Sequence, residues 1–434
     1  MDELIRKLIT IGLPAWLLFT VASTTGKTGE AAIANSLQKL GSPFGLLMGL
    51  GILVIFGLAA SYFSRYLVDG LLIRFYQKRQ QSEPLEKLLI EIEKLPLSDD
   101  LKIKLKWTVT HDRIYSQPQF KHIISRSFII AAILSALFSV SSYLGENNRF
   151  FELTSHLRLQ YLIVGFSCCI FFGLTRTKKL WLVVSIFCIL VNLAEIVPWY
   201  FPEPAIAAEI SGQKLRIFQS NVLTGNRHYA DVISLVREEK PDIAVFVEVT
   251  RSTWAKELVV LKDLLPYSFG NQESEKFGMV IYSKFPLENR ELKIFSLGRK
   301  VVSTDIRVQD KIISILAVHP SVPTRQKSFI DRNKQLAAIG EYAAQIKNPV
   351  IVVGDFNVTM WSPFYKSMVK TGGLRNARSG FGILPTWPTN KPLLYIPIDH
   401  CLITKDIQVL NIRTGRKIGS DHLPLITDLA INNY

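Results

Sequence analysis

The sequence predicts an α+β chain: an all-α transmembrane region over residues 1–201, a linker at 202–213, and a soluble domain of two packed sheets with helices outside over 214–434. Three observations lead there. Long apolar runs fill the first half and stop near Pro202. From Gln213 onward, short β-branched and aromatic runs alternate with a few amphipathic helices. Polar residues in that half gather where the apolar strands end.

The 434 residues are too many for one ordinary core, since domains run to roughly 100–200 residues. The net charge is +15, and from Lys214 onward 30 Lys and Arg stand against 20 Asp and Glu, leaving +10. A basic soluble half suits an anionic substrate: nucleic acid, an anionic lipid head group or a phosphoester. A solubility surface explains the charge equally well, so charge alone does not choose. Of four cysteines, Cys168, Cys169 and Cys188 lie in apolar runs, and Cys401 lies in a strand pattern. No spacing fits a disulfide framework or a zinc site.

Crossing ~30 Å of hydrocarbon takes about 20 mostly apolar helical residues. Five stretches qualify: 8–24, 44–63, 127–144, 159–175 and 180–200. The last ends in Trp199 and Tyr200, as at an interfacial aromatic belt. Its one charge, Glu195, lies near that end, where a charge can snorkel. The segment 65–126 is rich in Lys and Arg and is expected to be cytoplasmic. Arg176, Lys178 and Lys179 mark a second inner turn, and Arg6 and Lys7 an inner N-terminal end. Five spans then place everything after Tyr200 outside the cytoplasm; reading 8–24 as a signal peptide would leave four spans and the same side. Within the inner segment, Leu85, Leu88, Leu89, Ile92 and Leu95 recur at helical spacing and predict an amphipathic helix. It is expected to pack on its own membrane domain, with membrane-surface or partner binding as alternatives.

In the soluble half, 215–222 alternates and reads as a strand. A helix is expected over 226–239. Residues 241–249 form a nearly all-apolar strand, as when both faces are buried. Helix is expected over 254–265, then strands at 278–285, 301–308 and 311–320, the last two forming a hairpin around Gln309-Asp310. A long helix covers 325–347, another buried strand 348–357, and three further strands complete the chain. Such a mixed order suggests two packed sheets with helices outside.

Polar residues mark the strand ends: Asn221, Glu248, His319, Asp355 and Asn357, with Asp399 opening one strand and Asp421-His422 preceding the last. Strand ends are where α/β sheets present ligands. One Asp there is usually a turn or cap; a whole set of acids, amides and histidines is harder to explain that way. Carboxylates with an amide suit a hard cation such as Mg²⁺ or Mn²⁺. An Asp–His pair can orient an imidazole for proton transfer. With no GxSxG, HExxH or Walker sequence, metal-assisted attack by water is the expected chemistry.

The ordered set QSN, FVEV, VHP, GDFN, PIDH and SDHLP resembles the endonuclease/exonuclease/phosphatase superfamily from about Lys214 to the C-terminus. The resemblance implies a four-layer α/β/β/α sandwich and a Mg²⁺-dependent phosphoesterase; the apolar helices ahead of it look like those of the bacterial membrane-anchored branch. It implies that Asn221, Glu248 and Asp421 form the metal site, with Glu248 the principal ligand. Asp355 would activate water, Asn357 hold the phosphate, His422 touch the scissile phosphate and Asp399 orient His422. His319 matches a histidine of the deoxyribonuclease-like and sphingomyelinase-like branches. Val247 replaces the Gln, and His319 the Tyr, of many abasic-site endonucleases, which argues against abasic-site repair.

Arg325 and Arg332 flank the long helix and are candidate phosphate clamps, although a solvated helix face is the commoner fate of such residues. Trp387 could stack on a substrate or simply pack its loop, and His400 is read as structural. The expected partners are a phosphodiester substrate, either nucleic acid or phospholipid, and the bilayer; no protein partner is deducible. A non-catalytic membrane receptor or scaffold is the competing class, opposed by the complete acid, amide and histidine set. A transporter is opposed by the scarcity of charge inside the spans.

Overall fold

The computed structural model describes residues 69, 72–73, 75–80, 82–110, 118–175, 179–201, 212–271, 277–295 and 298–431, with side chains at 118–123 excepted. The expected spans at 8–24 and 44–63, and nearly all of the 202–213 linker, lie outside these residues. The chain divides into two compact units, Met1–Ser127 and Phe128–Tyr434.

In the first unit the amphipathic stretch forms α1 (Leu85–Lys94), which ends before Pro96, and α2 (Asp99–Thr110) follows. Leu88 and Ile92 of α1 pack with Leu101, Leu105, Val109, Ile73 and Tyr76 as a small separate core, whereas Leu85 is exposed. The leucine spacing therefore serves helix–helix packing within this unit.

Among the described residues, three helical stretches are long and apolar enough to cross a membrane, Ile124–Leu144, Arg149–Thr175 and Lys179–Tyr200. They contain most of α3 (Pro118–Ser141), then α4 (Arg149–Thr154), α5 (Arg158–Thr175) and α6 (Lys179–Ile196). Side-chain hydrogen bonds help to hold them together: Asn192 Nδ2 donates to Ser139 Oγ at 2.8 Å.

The remainder is the expected sandwich. One six-stranded sheet has the order β11-β12-β1-β2-β4-β3 and the other β5-β6-β7-β8-β10-β9. The strands are β1 (Gln213–Asn221), β2 (Ile243–Val247), β3 (Tyr267–Asn271), β4 (Met279–Ser283), β5 (Leu287–Phe295), β6 (Arg299–Val308), β7 (Lys311–Val318), β8 (Val350–Asp355), β9 (Arg375–Asn376), β10 (Asp399–Ile403), β11 (Ile407–Thr414) and β12 (Leu425–Ile431). Pairs β1–β2 and β7–β8 are parallel and the other pairs antiparallel, so both sheets are mixed.

Strand alternation builds the layers. Ile217, Val245, Ile281, Ile315 and Val353 face the common core between the sheets. Their neighbours Phe218, Ala244 and Val280 face outward against α7 (Tyr229–Glu239) and α8 (Trp254–Glu257). On the other side Leu316, Val318 and Val352 pack against Leu336 and Ile339 of α9 (Gln326–Gln345) and Tyr365 of α10 (Pro363–Thr371). Leu162 of α5 and Ile189 and Ile196 of α6 join that same outer cluster. Burial on both faces is what makes the central strands read as continuous apolar runs.

At Gly354 φ is +153°, and a Cβ would lie 2.0 Å from the Val318 carbonyl oxygen across the β7–β8 pair. Gly354→Ala is expected to lower stability by at least about 2 kcal/mol through strain and displacement of β7. Gly173→Ala, which meets nothing within 4 Å, should leave thermal unfolding of the detergent-solubilised chain unchanged. Equal melting of the two variants would contradict the close approach.

Candidate active site

The two sheets present their polar residues at one shared edge. β1, β2, β7 and β8 run toward it and end at or just before Asn221, Glu248, His319 and Asp355. β10 is antiparallel to β8, so its first residue, Asp399, pairs with Asp355. β12 is antiparallel to β1 and starts opposite Gln219, which places Asp421 and His422 at the same edge. Strand direction explains why ends of some strands and beginnings of others converge.

Asn221 is the hub. Its Nδ2 donates to Glu248 Oε1 at 3.2 Å and to Asp355 Oδ2 at 3.1 Å, and lies 3.4 Å from His422 Nε2. Its Oδ1 accepts from the Leu223 N–H. The amide thus holds two carboxylates together by donating to both. The other Glu248 oxygen accepts from Thr224 N at 3.0 Å.

His422 Nδ1 bonds Asp399 Oδ2 at 2.8 Å, and Asp399 Oδ1 accepts from Gln219 Nε2 at 2.9 Å. His422 Nε2 points toward Asp355, 3.7 Å from Oδ2. His319 Nε2 lies 3.7 Å from the same oxygen, and both His319 ring nitrogens are buried without a hydrogen-bond partner among the described residues. Asp421 Oδ2 accepts from Trp387 Nε1 at 3.1 Å, which sets the indole beside His422.

Asn357 is pinned through its main chain. Its N–H donates to Asp355 Oδ1 at 2.9 Å, its carbonyl accepts from Arg332 Nη1 at 3.0 Å, and its Nδ2 donates to Pro320 O at 3.0 Å. Glu248 (φ 64°) and Asn357 (φ 51°) both adopt left-handed backbone. Such conformations persist in side-chain-bearing residues when surrounding contacts over-determine them, and they gather at functional sites.

The electrostatics divide the groups. Burial pushes the Asp355 carboxyl up to about 7, partly countered by His422. For His422 burial opposes the charged form, but Asp399 and Asp355 outweigh it and lift the imidazole to about 10. His319 is pushed down to about 4 by burial. Burial also works against the Glu248 carboxylate, yet His319, the Thr224 N–H and the Asn221 amide together hold it below the ordinary value.

Asp355, Asp399 and His422 offer ligand atoms all within 4.8 Å of one another, a buried group able to hold a metal ion. The expected metal residues sit around it. Asn221 donates to Glu248 and Asp355, while Glu248 and Asp421 are the two partly exposed acids. The two arginines differ in their surroundings. Arg325 is exposed at the start of α9. Arg332 is fully buried, and Glu152 and the Asn357 carbonyl take up its guanidinium, so the expectation of a substrate contact there is corrected. His400 is buried as expected, bonded to Arg378, Asn376 and the Val358 carbonyl.

The site also includes residues that pattern reading passed over. Gln219 was visible as a polar side chain inside an apolar strand. Thr224 and Glu152 carried no local signal.

Residues 218–422 match the model of the Endonuclease/Exonuclease/phosphatase family. That segment is an endonuclease/exonuclease/phosphatase family domain. Similar solved structures include the endonuclease/exonuclease/phosphatase from Beutenbergia cavernae, at 19% identity over 51% of this chain and 72% of that one, TM-score 0.43. D. rerio TDP2 complexed with single-strand DNA product shows 15% identity over 51% and 100%, TM-score 0.43. The 3′ phosphatase NExo from Neisseria, bound to a product DNA hairpin, shows 14% identity over 50% and 100%, TM-score 0.42. No curated protein matches the chain. The family domain thus covers the whole constellation from Gln219 to His422.

Because Asp399 lifts His422, Asp399→Asn should move the alkaline fall of hydrolytic activity down from near pH 10 by two units or more. By analogy with other carboxylate–imidazole pairs, kcat should fall by about 10²–10⁴. A pH–rate profile of the variant checks this, and an unmoved alkaline limb would remove His422 from the acid role.

Proposed function

We propose that the chain is a membrane-anchored, divalent-metal-dependent phosphodiesterase in which water attacks the phosphorus. The observation that carries this reading is the arrangement at one edge: Asp355, held by the Asn221 amide and the Asn357 N–H, lies 3.7 Å from His422, whose imidazole Asp399 orients. Both groups are raised above their ordinary values, Asp355 to about 7 and His422 to about 10, which leaves a carboxylate that ionises around neutrality beside an imidazole that stays protonated.

The donor set suits Mg²⁺ or Mn²⁺: carboxylates, an amide and no thiolate. Glu248 and Asp421 would hold the cation, with Asn221 alongside. Asp399 has both oxygens committed, to His422 and Gln219, which weighs against its serving as a ligand in the buried trio. A bound cation supplies Lewis-acid polarisation of a phosphoryl oxygen. Asp355, held by Asn221 and the Asn357 N–H, accepts the proton of the attacking water. His422, kept protonated and oriented by Asp399, donates from Nε2 to the phosphoryl group or the leaving oxygen. His319 stays neutral and offers an unpartnered ring nitrogen on the other side of Asp355.

Anchoring is supported by the three long apolar helices. Arg149, Glu152 and Glu195, which contact the family domain, lie at the helix ends expected outside the cytoplasm. This agrees with an extracytoplasmic active site.

Nucleic acid is one substrate class. A phospholipid head group is favoured by a specific feature. Gln160, at the start of apolar α5, donates to Leu393 O and Tyr395 O at 3.1 Å. The next residue, Ile396, bridges to Trp387, whose indole bonds Asp421. One residue therefore separates the helix contact from the rim of the site, and Leu393 is 81% exposed beside it. With α5 spanning a bilayer, the rim would come close to the level of the head groups.

The test is hydrolysis by the full chain in nanodiscs, with Mg²⁺ or Mn²⁺, of DNA, RNA, phospholipid and a bis-aryl phosphodiester. EDTA should abolish turnover, and His422→Ala should cut kcat by about 10²–10⁴. Activity should rise as pH climbs through about 7, where Asp355 loses its proton, and added cation should move that limb to lower pH. No turnover by folded, cation-binding protein would sink the enzymatic reading and favour a receptor.

The substrate classes separate by salt. Nucleic acid binding should weaken steeply with ionic strength. Lipid hydrolysis should depend far less on salt and fall when Leu393→Asp repels the bilayer surface. A steep salt slope with no effect of Leu393→Asp would select nucleic acid.

A further inference from the structure

We propose that Glu152, carried by α4 ahead of the apolar α5 and outside the family domain, is a positioning residue for the catalytic loop, acting through Arg332 on Asn357. The proposal builds on the hydrolytic reading of the site, but its structural core can be tested separately.

Glu152 and Arg332 are both fully buried, and Arg332 Nη2 bonds Glu152 Oε1 at 2.8 Å across 180 residues of sequence. Through its other terminal nitrogen Arg332 bonds the carbonyl of Asn357. Asn357 in turn donates its N–H to Asp355. A continuous line of hydrogen bonds thus runs from the membrane-proximal helix to the group assigned as the base.

Helix α4, the turn that follows it and the end of α6 hold the rest of the loop. Glu152 Oε1 accepts from Ser362 Oγ at 2.8 Å, and His156 Nδ1 lies 2.9 Å from Thr359 Oγ1. Trp361 Nε1 donates to the Glu195 carbonyl at 3.0 Å. Arg149 bonds the carbonyls of Pro323 and Thr324, beside the His319 strand end. Residues 359–362 are therefore held at three points by segments that precede the family domain, and Asn357 is reached through Arg332.

A buried ion pair is a weak stabiliser compared with apolar side chains of similar volume, but its donors and acceptors fix direction. Here the direction fixed is that of the carbonyl of a left-handed, side-chain-bearing residue at the reacting edge. Strained backbone needs such external restraint. It follows that a chain beginning at the family domain would leave Arg332 buried without its carboxylate and Asn357 without a fixed carbonyl.

The experiment uses the full chain in detergent micelles, with Glu152→Gln and the paired variant Glu152→Gln/Arg332→Met, which removes both charges and leaves none buried alone. In folded protein each should lower kcat at least tenfold while KM stays within twofold. Amides of residues 357–362 should exchange with deuterium at least tenfold faster, with β8 unchanged. A role in packing alone would lower the melting temperature and leave kcat per folded molecule intact, and that result overturns the proposal. Should the wild type turn over no substrate, the phosphodiesterase reading fails on its own and exchange decides: unchanged amides at 357–362 overturn the positioning role. Should Glu152→Gln fail to fold, the charge-free pair carries the same test.

Discussion

The Asp355 carboxylate sits between two histidines and a second acid with almost no access to water, and the neighbouring structure is what makes that tolerable. An isolated buried carboxylate costs so much free energy that it takes up a proton instead. Here the cost is moderated by three contacts from different parts of the chain: the Asn221 amide, the Asn357 N–H and the nearby His422. The outcome is a group poised near neutrality. Moving any one of the three would change its charge state as well as its position.

This constraint explains the topology at the site. Asn221 comes from one sheet and Asp355 from the other, so the amide reaches Asp355 only because the two sheets meet at this edge. Asp399 can orient His422 because β10 runs opposite to β8 while the turn before β12 delivers the imidazole. A parallel β10 would put Asp399 at the far end. The glycine at 354 lets β8 approach Val318 closely.

How much of this the sequence showed depends on where each signal lay. Strands buried on both faces read as apolar runs, and a polar residue ending such a run stands out; Asn221, Glu248, His319, Asp355 and Asp399 were all visible this way. β5 was not, because LENRELKIF alternates charges on a largely exposed strand and imitates a loop. The helix expected over 254–265 proved to be a short α-helix followed by 3-10 turns. Arg332 reads either as a candidate clamp, because a basic residue follows a catalytic histidine, or as part of a solvated helix face, and it is neither. Its partner, Glu152, lies 180 residues away, and no local pattern can reveal an ion pair across that distance.

That misplacement carries a structural lesson. The boundary drawn by composition falls at the linker after Tyr200, whereas helices α4 to α6 share one compact unit with the sandwich. Leu162, Ile189 and Ile196 pack on the outer face of the second sheet, and Glu152 neutralises a charge inside it. Removing one partner of such a pair leaves the other uncompensated, at a cost of about 3–5 kcal/mol. A sandwich whose second sheet depends on that carboxylate cannot treat the helices as a detachable tether. The same helix ends that pack on the second sheet also fix the loop that holds Asp355.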